Sequence, residues 1–171
     1  QRSFTIGAWV YVDETGTLLT HGSADEKLTL AITSDKKLQV RMGDKEMTTE
    51  ETIPMKKWVY VSVVYENDGS TPSTGSGTSS PTDENDAVLT AYFAYDSTDG
   101  NVRMNGVGEY LGNGSLAIGG FSGRMHELTL WNRAMTWTEQ RMDMDTKKNR
   151  YTPDLVGYWP MNEGQGNVAE D

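Results

Sequence analysis

The 171-residue chain carries 25 acidic and 15 basic residues, a formal net charge of −10, and no cysteine. Disulfides, zinc–thiolate sites and thiol nucleophiles are therefore excluded, and the acidic balance sets the chain against nucleic acid and anionic membrane surfaces. Its 18 glycines against 5 prolines, with apolar residues gathered in short runs, predict one sizeable strand-and-turn domain spanning 1–171.

The first element is read at Ser3–Val12, where Phe4, Ile6, Ala8, Val10 and Val12 alternate with Thr5, Gly7, Trp9 and Tyr11. A period of two over ten residues is a strand. Shorter runs follow at Leu18–His21, Leu28–Thr33 and Leu38–Met42, separated by Gly, Asp, Ser and Lys turns. Strands recurring about every ten residues, with no helical pattern between them, indicate an antiparallel sandwich or barrel.

Lys57–Tyr65 and Ala87–Tyr95 are apolar on both faces, as central strands of a two-layer fold are. Between them, the Gly/Ser/Thr/Pro-rich segment 67–86 cannot bury enough apolar surface to offset its ordering entropy, and is expected to be a flexible insertion. Ser115–Gly119 and Gly123–Asn132 complete the strand series. Thr136 and Glu139 then fit a capping box opening one short helix, expected to reach Lys147 with Trp137, Arg141 and Met144 against the sandwich. Leu155–Met161 reads as a last strand.

Three runs carry a family likeness: FTIGAWVYV, WVYVSVVYE and LAIGGFSGRMHELTLWNRAMTWTEQ. Together they resemble the laminin-G-like and pentraxin-like branch of the concanavalin A-like lectins and glucanases. Gly123, Arg124, Met125, His126, Glu127 and Leu128, then Trp131 and Asn132, stand where that branch has Gly-(Arg/Lys)-Ile-Asp-Glu-(Val/Leu), an aromatic and an Asn. LVGYWPMNEGQG looks like the family's Tyr-Trp…Glu-Gly-x-Gly segment.

The resemblance implies an all-β, two-sheet antiparallel jelly-roll sandwich with one short C-terminal helix. It also implies a non-catalytic carbohydrate-binding or adhesive module. Since the Tyr-Trp segment usually starts a unit, 154–171 is expected to be either a permuted closing strand or the start of a next repeat.

Catalysis is not expected: the Glu-x-Asp-x-x-Glu strand of laminarinase-like relatives is missing, and no Gly-x-Ser-x-Gly elbow occurs. Strict alternation places His126 on one face with Leu128 and Leu130, as a buried histidine. Calcium stays open with no ligand assigned; the loose candidates are Asp83, Asp86, Asp96, Asp99, Glu170 and Asp171, and Asp96–Asn101 reads as a hairpin turn.

Trp9, Tyr11, Trp58, Tyr60 and Tyr92 share the second faces of their strands and would form an aromatic platform if those strands were neighbours. The tryptophans are expected in the core, leaving Tyr11, Tyr60 and Tyr92 as carbohydrate-contact candidates.

The alternatives are a ligand-free structural spacer and a glycoside hydrolase-related domain. A glycan or cell-surface ligand and other domains of the same polypeptide are the expected partners, with no nucleic acid and no membrane insertion. The chain opens on Gln1 directly into a strand, so it reads as a piece of a longer exported protein, extracellular or cell-surface and, without cysteine, bacterial.

Overall fold

A computed structural model describes residues 3–22, 27–67, 87–108, 114–149 and 151–162. The 68–86 part of the expected insertion, Asp83, Asp86, Glu170 and Asp171 lie outside these residues.

Among the described residues, eleven strands and one helix follow one another as β1 (Phe4–Glu14), β2 (Gly16–His21), β3 (Leu28–Ile32), β4 (Lys37–Met42), β5 (Lys45–Thr52), β6 (Trp58–Glu66), β7 (Val88–Tyr95), β8 (Thr98–Asn105), β9 (Leu116–Ile118), β10 (Ser122–Trp131), α1 (Trp137–Asp143) and β11 (Leu155–Trp159). They form two antiparallel sheets, one of six strands ordered β11-β10-β1-β6-β7-β8 and one of five ordered β5-β4-β3-β2-β9. The chain thus crosses between sheets four times, as a jelly roll does, and β1, β6 and β7 are adjacent.

The alternation in the sequence explains the core. Phe4, Ile6, Ala8, Val10 and Val12 of β1 are buried, as are Val59, Val61, Val63 and Tyr65 of β6. They meet Leu28, Leu30 and Ile32 of β3 and Leu38, Val40 and Met42 of β4 in one apolar layer. Removing this apolar surface from water is the main stabilising term of a two-sheet fold.

Two strands have no apolar alternation strong enough to announce them. β5 (KEMTTEET) is mostly polar because it is an edge. β8 follows a tight turn at Asp96, whose φ is 53°, so the turn expected over Asp96–Asn101 is confined to its first two residues and Thr98–Asn101 pair with β7. The sandwich closes on this side where Lys45 of β5 donates to the carbonyls of Asn105 and Gly106. β11 pairs along the opposite edge of the six-stranded sheet, with Tyr158 opposite Thr129.

The helix is shorter than expected, ending at Asp143 with Met144 as its C-cap. The capping box is present as read: Thr136 accepts from the Glu139 amide, and Glu139 accepts from the Thr136 amide. Buried hydroxyls hold α1 and its approach across the outer face of the six-stranded sheet. Thr5 donates to the Arg133 carbonyl and accepts from the Met135 amide, and Ser62 donates to the buried Gln140.

Candidate functional site

The site begins with an irregularity in β10. Opposite β1, Gly7 pairs with Thr129 but Trp9 pairs with His126, so three steps on β10 face two on β1. The additional residue is absorbed at Glu127, a non-glycine residue at φ 54°. Such a β-bulge shifts the phase of the alternation and re-aims a side chain. Leu128 faces the core, and Leu130 packs against it opposite Ile6. His126 and Arg124 instead stand outward beside Trp9 and Tyr11. The expectation that His126 shares a face with Leu128 and Leu130 is corrected by this one residue.

On the outer face Trp58 meets its neighbouring rings edge to face. The Trp58 and His126 centroids are 4.4 Å apart at 78°, and Trp9 lies nearly parallel to His126 at 6.4 Å. Tyr11 packs on Trp58 at 5.6 Å and 62°, and the Arg124 guanidinium lies 4.1 Å from the Tyr11 ring centre. Trp58 is 37% exposed, so it stands on the surface rather than in the core.

A concavity of about 420 Å³ opens here between the sheet and the segment after α1, lined by Trp9, Trp58, His126, Glu127, Met144, Asp145, Thr146 and Lys147. Its helix-side wall is held from below. The Trp9 indole N–H donates to the Met144 carbonyl at 3.1 Å. Lys148, whose side chain is 3% exposed, pairs with Asp143 at 3.0 Å and donates to the carbonyls of Asp143 and Thr146. A helix C-terminus with its carbonyls capped by an ammonium is a stable wall.

The floor, by contrast, keeps its hydrogen-bonding groups unspent. The Trp58 indole N–H, the His126 imidazole nitrogens and the Asp145 carboxylate make no hydrogen bond with a described residue. Glu127 is held on one side only, where the Tyr158 hydroxyl donates to Oε2 at 2.6 Å. Burial lowers the His126 pKa, partly offset by the neighbouring Glu127, so the ring is neutral at pH 7. Burial and then the Glu127 carboxylate push the Tyr158 phenol up to about 12, so it remains a donor across the neutral range. The arrangement can stack a flat apolar face on an indole while giving and receiving hydrogen bonds around it.

The three tyrosine candidates share this face but differ in access. Tyr11 sits at the rim, half-buried under Arg124. Tyr60 is 6% exposed, packed between Trp9 and Trp137, and burial pushes its phenol well above the usual range. Tyr92 lies flat against Trp137, with centroids 4.9 Å apart at 1°. The platform forms, and α1 covers the end of it that holds Tyr60 and Tyr92.

His126, Glu127 and the Asp145–Lys147 wall were missed in the sequence. Strict alternation hid the first two, and the third was read as helix. Among the described residues, no three acidic or histidine side chains converge as metal ligands. Asp99 is engaged by Arg141 at 2.7 Å and faces the Trp137 indole N–H.

The family profile described as the concanavalin A-like lectin/glucanases superfamily, a laminin G group, matches residues 1–139. No curated protein sequence matches the chain. Among solved structures, a provisionally assigned carbohydrate binding protein from Bacteroides ovatus superposes with a TM-score of 0.67 at 17% identity, covering 98% of this chain and 48% of that one. The chain therefore spans about half the length of that relative. The native heptameric SAP-like pentraxin of Limulus polyphemus superposes with a TM-score of 0.51 at 15% identity, covering 99% of this chain and 80% of that one. With the jelly-roll topology and the family match agreeing, the chain belongs to the laminin G group of the concanavalin A-like lectin/glucanase superfamily.

Proposed function

We propose that this domain is a non-catalytic, lectin-like carbohydrate-binding module of a larger exported, cell-surface or extracellular protein, and that its ligand sits in the Trp9–Trp58–His126 corner. The observation that carries the reading is an exposed indole beside hydrogen-bonding groups that no described residue engages. A pyranose offers an apolar C–H face and a rim of hydroxyls, and this corner offers the complement of both. The solved relative assigned to carbohydrate binding supports the reading at the level of the fold. Tyr11 extends the aromatic surface at the rim, whereas Tyr60 and Tyr92 support it from beneath the helix.

The test is a glycan-array screen of the intact domain, followed by calorimetry on the best ligand with Trp58→Ala. Binding is expected, with the variant about tenfold weaker or more because a central aromatic anchor is removed, and with an unchanged melting temperature. No binding to any glycan, or full binding by Trp58→Ala, contradicts the assignment.

One observation favours a second reading, a glycoside hydrolase-related domain: two carboxylates, Glu127 and Asp145, line the same concavity. A general acid needs an apolar setting that keeps it protonated, whereas Asp145 lies on an exposed segment. Release of reducing ends from a bound glycan, abolished by Glu127→Gln, would establish the second reading over the first.

A further inference from the structure

Resting on the glycan-binding reading of the Trp58 corner, we propose that the site selects uncharged sugars over sulfated or carboxylated ones. Glu127 is the hydroxyl acceptor that makes the selection, and Tyr158 is its positioning residue.

Glu127 is gripped twice, by β11 and by the residue that follows it. Its amide donates to the Pro160 carbonyl at 3.3 Å, and its Oε2 accepts from Tyr158 at 2.6 Å. Tyr158 stands on the outer face opposite Thr129, so β11 delivers the phenol to the bulge from the sheet edge. The backbone at Glu127 is left-handed, and strain of this kind collects where a side chain must be aimed. The result is a carboxylate with Oε2 fixed and Oε1 accepting from no described residue.

An open, oriented carboxylate oxygen binds a sugar O–H strongly and repels a sulfate or uronate. Asp145 adds a second carboxylate on the opposite wall. The groups that would favour an anion are not aimed inward. Arg124 lies over Tyr11 at 4.1 Å and Trp58 at 5.8 Å, outside the lining residues. Sulfate and carboxylate recognition is best served by a guanidinium fork facing the ligand, and among the described residues only Lys147 contributes a cation to the lining, against two carboxylates. The net charge of −10 acts in the same direction at longer range.

The experiment compares, on the intact wild-type domain, neutral oligosaccharides with their sulfated and uronate counterparts on one array. Calorimetry on the best ligand then follows with Glu127→Gln and Tyr158→Phe. The neutral forms are expected to bind at least about tenfold tighter. Glu127→Gln loses about tenfold or more on the neutral ligand, the size of a charge-assisted hydrogen bond. Tyr158→Phe loses less, and also narrows the neutral-to-sulfated ratio, which a merely structural role would leave alone. Equal or tighter binding of the sulfated forms, or an unchanged ratio in both variants, overturns this inference while leaving the glycan-binding reading standing. Silence of the whole array overturns both. The wild-type comparison decides the matter even if a variant does not fold.

Discussion

The two sheets of this sandwich turn very different outer faces to their surroundings. Every Trp, Tyr and Phe that lies in a strand belongs to the six-stranded sheet, and the five-stranded sheet has none. The outer face of the five-stranded sheet carries Thr20, Thr29, Ala31, Gln39 and Thr48 with an Arg41–Glu46 ion pair. The six-stranded face carries rings, buried hydroxyls and a helix, and the segment after that helix walls a concavity. Polar groups spread over such a sheet face exchange their hydrogen bonds with water. An aromatic floor with a wall beside it is what leaves directional groups waiting for a ligand.

That contrast can be broken first by crowding. On the aromatic face, a Cβ at Gly7 would lie 2.3 Å from the Tyr60 hydroxyl. Gly7→Val is therefore expected to overpack the sheet beneath α1, costing about 1–3 kcal/mol and lowering Tm by roughly 5 °C. Ala31→Val, on the open face, should stay within about 0.5 kcal/mol. Similar thermal shifts for the two variants would mean that the faces are packed alike.

A smaller difference separates polar contacts on the two sides. Thr136→Ala removes the cap that starts the covering helix and should cost about 1 kcal/mol. Arg41→Ala breaks an ion pair whose side chains are 54% and 51% exposed, and should cost about 0.2–0.5 kcal/mol. Chemical denaturation of both variants measures the gap, and a larger loss at Arg41 would reverse the ranking of the faces.

The smallest effect is a pH slope. Burial lowers both histidine pKa values from 6.5, at His126 on the aromatic face and at His21 against Phe4. As pH falls the unfolded chain takes up these protons first, so their contribution is complete above about 6.5 and is lost on the way down to the depressed native values. Melting temperature should therefore decline from pH 7.5 to pH 5, and His126→Gln should flatten the slope. A slope identical to wild type would place His126 in water.

Much of this architecture was legible in the residues. The alternation in β1, β6 and β7 located three strands with rings on their second faces, their adjacency appeared only in the pairing, and Thr136–Glu139 located the helix start. The bulge was not legible, because GRMHELTLW alternates smoothly and only its pairing with β1 reveals the extra residue. That single step moved His126 from the expected core to the surface and brought Glu127 to the concavity. Tyr60 and Tyr92 read as surface rings because a strand pattern carries no record of the helix that later lies on it. Trp58 was placed in the core for the opposite reason: its neighbours are buried, but the helix stops short of it.

The most direct measurement is a two-dimensional NMR titration of the domain with a glycan selected on the array, following the indole N–H signals. The account predicts that the Trp58 indole N–H moves in proportion to saturation, with the His126 and Glu127 amides, while Thr29 and Gln39 stay still. Shifts confined to the five-stranded face, with Trp58 unmoved, would contradict it.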